Sequence, residues 1–311
     1  MDQRTIRRLM RSGTMADTEF STRPRLLVAE SETPEEREAR RESAGRSAGE
    51  SYAATLEQLI PHCTVDRVTP ADDDHPTMGA AAIADYDGVF LSGSPLHVWE
   101  DTPETRRQLD FMRAVFASGT PSFGSCAGLQ VAVAAAGGTV RSMPGRQEAG
   151  LARRIVATDE GRDHPMVRDR PATWDAPAIH GDEVETLPAD ATLLAGNAAV
   201  SVQAVEIRHD GGVFWGVQYH PELAPGEIGA ALRRQVDDLV EAGLARDGDD
   251  VEAQAALFDA LHDRPDCPAL RWRLGIDREV AEEPRRRTEL IAFIEHLVMP
   301  RVAARRESVP A

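Results

Sequence analysis

Ser122-Phe123-Gly124-Ser125-Cys126-Ala127-Gly128-Leu129-Gln130 is the stretch on which the reading of the whole chain turns. Ser122-Phe123-Gly124 leads into the cysteine as a strand would. Ala127 to Ala136 then has helical character, and Gly137-Gly138 stops it. A strand that turns sharply into a helix lifts the residue at the turn above the sheet edge, and small neighbours make the turn sterically possible. Cys126 would thus stand at a helix N-terminus, where the positive end of the helix faces the sulfur, and the thiolate is the attacking form of cysteine. Taken alone, the same segment also describes a buried cysteine in a tight turn.

Outward from this junction the chain alternates. Arg25 to Ala29 reads as a buried strand, and Pro34 to Glu50 as charged helix or loop. Ser51 to Ile60 is a helix with Tyr52, Leu56, Leu59 and Ile60 on one face. Cys63 to Val68 and Tyr86 to Leu91 are strands, and Thr102-Pro103-Glu104 starts a helix that runs to Ser118. This rhythm predicts an α/β fold with a mostly parallel sheet and helices on both faces. After Gly138 come shorter β-like runs: Ala152 to Ala157, Thr192 to Ala195, Val200 to Ile207 and Gly212 to Val217. They suggest an added antiparallel section that returns to the main sheet at His220. From Pro225 the chain is helical and charged, with apolar spacing over Ile228 to Ala245, Val251 to His262 and Arg285 to Val298. The expected division is a mobile tail over 1–23, a catalytic α/β unit over 24–223 and a helical extension over 224–311. Met15 is a candidate alternative start.

The 311 residues carry a net charge of -17, and all 35 basic residues are arginine. Nucleic acid would repel such a surface. A GC-rich genome or a salt-rich cytoplasm would each account for the arginine bias. No run approaches the roughly eighteen apolar residues of a membrane span, and the basic start lacks the apolar stretch of a secretory signal, so a cytoplasmic location is expected. Cys63, Cys126 and Cys267 form no C-x-x-C pair, and His75, His97, His164 and His209 lack metal-ligand spacing; neither a disulfide framework nor a metal is expected. Asp72-Asp73-Asp74 reads as a solvated loop. A phosphate-binding loop would need a lysine that the chain lacks.

A second segment completes the chemistry. Gly216-Val217-Gln218-Tyr219-His220-Pro221-Glu222 follows the apolar run Val213-Phe214-Trp215. A cysteine hydrolase needs a base that takes the thiol proton and later protonates the leaving amine, and histidine suits that task near neutral pH. A carboxylate two residues on would point the same way in extended backbone and orient the imidazole.

With these residues in view, the sequence resembles the class I (triad-type) glutamine amidotransferases, and among them the standalone members related to GMP synthase. Gly124 to Gln130 is similar to that family's G-x-C-x-G-x-Q elbow, and Gly216 to Glu222 to its G-x-Q-[FY]-H-P-E signature. Two further segments match in order: Gly88 to Pro95, and Ile179 to Pro188, which is similar to H-G-D-x-V-x-x-L-P. The resemblance implies a flavodoxin-like sheet and a catalytic triad. Cys126 would attack a glutamine side-chain amide and form a glutamyl thioester. His220 would act as base and then acid, and Glu222 would orient it. Backbone N–H groups of Ala127 and of Gly93 or Ser94 would hold the oxyanion. Gln130 and the backbone around Ile179 and Gly181 would bind the substrate. No cofactor is implied. Ser125 replaces a residue that is apolar in many members, and Ser92-Gly93-Ser94-Pro95 stands where two glycines are usual.

Three functions follow from these readings. The first is a glutaminase that supplies ammonia to a separate synthetase or acceptor-binding subunit. The second is a hydrolase that uses the same triad to release glutamate from a γ-glutamyl peptide or γ-glutamyl amine. The third is a binding subunit without activity, which an intact Cys126, His220 and Glu222 argue against.

Overall fold

The computed structural model describes residues 23–74, 78–145 and 148–307. The basic stretch within residues 1–22, Met15 and His75 lie outside the described residues. In chain order the strands are β1 (Arg25–Ala29), β2 (Thr64–Val68), β3 (Gly88–Leu91), β4 (Ser122–Ser125), β5 (Thr139–Ser142), β6 (Glu148–Ala157), β7 (Trp174–His180), β8 (Asp182–Thr186), β9 (Ala191–Gly196), β10 (Ala204–His209) and β11 (Gly212–Val217). Nine of them form one sheet in the order β2-β1-β3-β4-β11-β10-β9-β6-β7, and β5 pairs with β8 apart from it.

The half that contains β4 and β11 is parallel. β2, β1, β3, β4 and β11 are joined edge to edge by parallel pairing, and β10, β9, β6 and β7 continue as an antiparallel flank. Gly212 to Val217, grouped by its texture with the antiparallel section, is therefore a central parallel strand beside β4. Its composition explains this: Trp215 and Val217 enter one core and Phe214 the other, as expected for a strand covered on both faces. β1 alternates in the same way, with Leu26 and Val28 on one side and Leu27 and Ala29 on the other.

One face is covered by the helix Ala48–Leu59, through Tyr52 and Leu56, and by helical turns from Thr288 to Glu307. The other carries the helices Pro103–Ser118 and Ala127–Ala135. Phe293 stands at the centre of an aromatic cluster, its ring 5.3 Å from Phe90, 5.5 Å from Phe123 and 5.9 Å from Trp215. The third helical run of the sequence is thus a layer of the main core.

The span Ile228 to Ala245 is two helices, Pro225–Arg234 and Val236–Glu241, with a break in helical geometry at Gln235. They pack with Gly248–Asp263 and Pro268–Leu274 in a separate apolar cluster against Leu151 and Ile179. In the acidic loop Asp73 and Asp74 are exposed, as read from the sequence, and Asp72 is the exception. The Asp72 carboxylate accepts both terminal nitrogens of Arg37, at 3.0 and 2.6 Å, and is largely buried.

A buried ion cluster fastens the C-terminal helices to the sheet. The Arg170 guanidinium donates to both oxygens of Glu289, at 2.7 and 2.6 Å, and to Glu279 at 2.8 Å. The Tyr219 hydroxyl donates to the same Glu289 at 2.7 Å. Among the described residues, no helix is long and apolar enough to cross a membrane.

Candidate active site

β4 and β11 are neighbours in register, Ser125 opposite Val217. The residues that follow each strand therefore emerge side by side at the C-terminal edge of the parallel half, where ligands bind in open α/β sheets. Cys126 is bound to β11 through its backbone N–H, which donates to Val217 at 2.9 Å. Its own backbone is strained, with φ 52° and ψ −110°, the sharp strand-to-helix turn of a nucleophile elbow. The flanking glycines make the turn possible. A Cβ on Gly128 would lie 2.6 Å from the carbonyl oxygen of Leu91, and one on Gly124 2.6 Å from the carbonyl carbon of Gly128.

His220 donates its backbone N–H to Pro177 at 2.7 Å, which anchors the segment between β11 and β7. Its Nδ1 is 2.7 Å from Glu222 Oε1, and its ring and the Cys126 side chain both lie against Gly93. All three side chains are buried. Burial alone would disfavour charge on the ring. The Glu222 carboxylate, its hydrogen bond to the ring and the neighbouring Cys126 outweigh it and carry the His220 pKa up to about 10. The site thus favours the cationic imidazole, with the Glu222 carboxylate against its Nδ1.

The loop after β3 closes the site. A Cβ on Gly93 would stand 2.7 Å from His220 Cε1 and 3.6 Å from Cys126 Cβ, so the backbone of Gly93 lies against both side chains. Ser92 holds this loop: its hydroxyl donates to the carbonyl of Gly93 at 3.1 Å and accepts the N–H of Ser31 at 3.0 Å. Ser94 Oγ accepts the N–H of Leu96 at 3.3 Å. The serines flanking Gly93 thus brace the loop through their hydroxyls. Ala127 is the first residue of its helix, where a backbone N–H has no partner within the helix. Gly93→Ala is expected to lower kcat about 100-fold, because the ring it strikes is locked to Glu222 and a displacement of about 1 Å costs that much. Steady-state kinetics beside a thermal melt checks this; a melt unchanged within a few degrees assigns the loss to the site.

Gln130 is buried, and its Nε2 donates to the carbonyl of Asp182 at 3.3 Å and to Gln218 Oε1 at 3.2 Å. Ile179 ends in β7 with its side chain against the C-terminal helices. The carbonyl of Gly181 accepts Met143 N–H at 2.8 Å. Other contacts were not read from the sequence. His97 Nδ1 is 2.8 Å from Asp182 Oδ2, which ties the loop after β3 to the segment after Gly181. His180 stands between the Asp182 carbonyl at 2.8 Å and Glu148 at 3.0 Å. Ser125 Oγ donates to Glu222 Oε2 at 2.9 Å, and Tyr52 OH is 3.2 Å from Ser125 Oγ. The signal for Tyr52 lay in its hydroxyl, which on an otherwise apolar helix face needs a buried partner. His164 pairs with Glu206, and His209 packs edge-on against Phe116. Cys63 is half-buried, and its thiol is pushed up to about 11 by burial and by the Glu57 carboxylate. Cys267 is the cap residue of the short helix Pro268–Leu274.

A strained cysteine elbow beside a carboxylate-held histidine defines a cysteine-dependent amidohydrolase centre, and comparison with known proteins identifies the class: this chain belongs to the class-I glutamine amidotransferase family, whose model matches residues 44–237. Within that family it is 34% identical over 284 residues to a γ-glutamyl-L-1-hydroxyisopropylamide hydrolase of Pseudomonas sp, a match covering 89% of this chain and 94% of that protein. It is 36% identical over 169 residues to the GMP synthase of Thiobacillus denitrificans, covering 50% of this chain and 29% of that longer enzyme. Two solved structures share the fold at 18% identity. A glutamine amidotransferase from Thermotoga maritima has a TM-score of 0.55 over 88% of this chain and 98% of its own. One from Methylobacillus flagellatus has 0.54 over 91% and 95%.

Proposed function

We propose that this enzyme hydrolyses the amide bond between the γ-carboxyl of a glutamyl group and a small amine, through a thioester on Cys126. The observation that carries the reading is the arrangement of Cys126 at a strained turn, beside Gly93 with a His220 ring whose Nδ1 is held 2.7 Å from Glu222. The sulfur attacks the γ-carbonyl carbon, and the oxygen that gains charge is met by the N–H of Ala127 and by that of Gly93 or Ser94. His220 gives its proton to the amine nitrogen as the C–N bond breaks, and the amine leaves. His220 then takes a proton from water, whose oxygen attacks the thioester. The C–S bond breaks and glutamate is released. Glu222 keeps the ring oriented and balances its charge throughout. Gln130 and the backbone near Ile179 and Gly181 face the glutamyl end. A nucleophilic thiol must stay reduced, which suits the cytoplasm.

The acceptor in this reading is water. Its support is the breadth of the likeness to the Pseudomonas hydrolase, whose 284 aligned residues cover 89% of this chain. The GMP synthase of Thiobacillus denitrificans matches half of it. Likeness to GMP synthases supports a second reading, in which glutamine is the substrate and its ammonia passes to a separate synthetase.

The two readings are separated by assaying the purified chain on glutamine and on a panel of γ-glutamyl amides of short amines and amino alcohols, with glutamate and ammonia measured independently. Glutamate release from the substituted amides at kcat/KM well above that for glutamine is the expected result. A clear preference for glutamine would overturn it. In the same assay Glu222→Gln is expected to lower kcat by about 10⁴-fold, as loss of an orienting carboxylate costs less than loss of the nucleophile.

A further inference from the structure

The carboxylate of a triad has two oxygens, and only one of them faces the histidine. Here Glu222 Oε1 is taken by His220 Nδ1 at 2.7 Å, and Oε2 accepts a hydrogen bond from Ser125 Oγ at 2.9 Å. A serine hydroxyl has one hydrogen. With that hydrogen spent on Glu222, the contact between Ser125 Oγ and Tyr52 OH, 3.2 Å long, must run from tyrosine to serine. All three groups are buried: Ser125 and Tyr52 are each 0% exposed and Glu222 is 5% exposed. The Tyr52 ring is fixed in the core beside Phe90, their centroids 5.9 Å apart. Burial and the nearby Glu222 charge hold the Tyr52 phenol well above its usual range, so it remains a donor.

From this geometry we propose that Ser125 and Tyr52 are positioning residues of the triad: a one-way hydrogen-bond chain, Tyr52 to Ser125 to Glu222, fixes the carboxylate so that its other oxygen faces His220. The proposal rests on the catalytic reading above. It gives a role to Ser125, which the elbow carries in place of an apolar residue. An apolar side chain there would leave Oε2 inside the protein without this donor, and a buried carboxylate that loses a donor holds its proton more tightly. The Glu222–His220 pair would then take up a proton at higher pH, and the carboxylate could rotate away from the ring.

The test uses the full chain and two variants, Ser125→Ala and Tyr52→Phe. Each removes one donor and little volume. Turnover on the best γ-glutamyl amide is measured from pH 5 to 9. In parallel, Cys126 labelling by an electrophile shaped like glutamine is followed over the same range by mass spectrometry. Ser125→Ala is expected to lower kcat by about 10- to 30-fold, the loss that removal of a hydrogen bond to a charged group produces, with KM within about twofold. Its acid limb should move to higher pH in both turnover and labelling. Tyr52→Phe should move both in the same direction by about a third as much, since Ser125 can still donate. A residue that only filled space would change the melting temperature and leave the acid limb in place. Acid limbs within 0.2 of a pH step of wild type in both variants, or a loss confined to KM, would overturn the proposal. Should wild type turn over no γ-glutamyl amide, the catalytic reading fails by itself, and the labelling profile still decides whether Ser125 and Tyr52 govern the Cys126–His220–Glu222 unit.

Discussion

Cys126→Ala is expected to lower hydrolysis of every γ-glutamyl amide by about 10⁶-fold, the scale at which loss of a nucleophile leaves only binding and oxyanion stabilisation. The fold should survive, because the substitution removes a single sulfur at a turn whose shape is set by Gly124 and Gly128 against Leu91. The same residue should be labelled selectively, and the reagent matters. Cys126 is 6% exposed, so a small general alkylator meets a steric barrier there that it does not meet at Cys63 or Cys267, both half-buried. An electrophile with a glutamyl end would be drawn to the site by the groups that bind substrate and delivered to a sulfur beside the His220 ring. Cys63 would lag, its thiol held up to about 11 by burial and Glu57. Peptide mapping after brief exposure should find the label on Cys126, and free glutamate should protect it. Equal labelling of the three thiols, or turnover surviving in Cys126→Ala, would end the thioester mechanism.

Arg170→Ala is expected to destabilise the fold by about 3–5 kcal/mol, the usual result of removing one partner from a buried ion pair. The guanidinium is enclosed and makes its bonds to Glu289 and Glu279 away from water. Without it Glu289 would keep only the Tyr219 hydroxyl, and Glu279 only Arg285 at 3.6 Å. Urea unfolding of the variant gives the loss directly. Adding Glu289→Gln should recover part of it, since the second change removes one of the stranded charges. Tyr219 shares Glu289 and directly precedes His220, so turnover should fall at temperatures below the unfolding midpoint. A loss under about 1 kcal/mol, the range of an exposed pair, would show that the cluster is not the fastening described.

Much of this was legible because local chemistry and fold agree at the elbow. Gly124, Cys126 and Gly128 admit few other backbones, and the alternation of Leu26, Leu27, Val28 and Ala29 marks a strand buried on both sides. What could not be read is the chemistry that joins distant segments. Ser125 was a departure in a motif and Tyr52 a core residue until the sheet placed both next to Glu222. Arg170 and Glu289 carry no signal in the sequence, because ion pairs between remote positions leave no periodic trace. Gly212 to Val217 was placed in the antiparallel section because a short apolar run carries its length and not its direction. Asp72 was read from its acidic neighbours, and its partner Arg37 lies in another element.

The aromatic cluster around Phe293 has a consequence for how the chain is made. Leu26, Phe90 and Phe123 line the face of the sheet that Phe293 and Val298 cover. A ribosome adding about 5–20 residues per second needs roughly 10–40 s to go from residue 90 to residue 298. For that interval the nascent sheet presents an open apolar face, with the helix Ala48–Leu59 as its partial cover. Closure of this face therefore waits for Phe293 and Val298, and any pause between residues 90 and 298 would prolong the window in which chaperones, or neighbouring nascent chains, can occupy the place of Phe293.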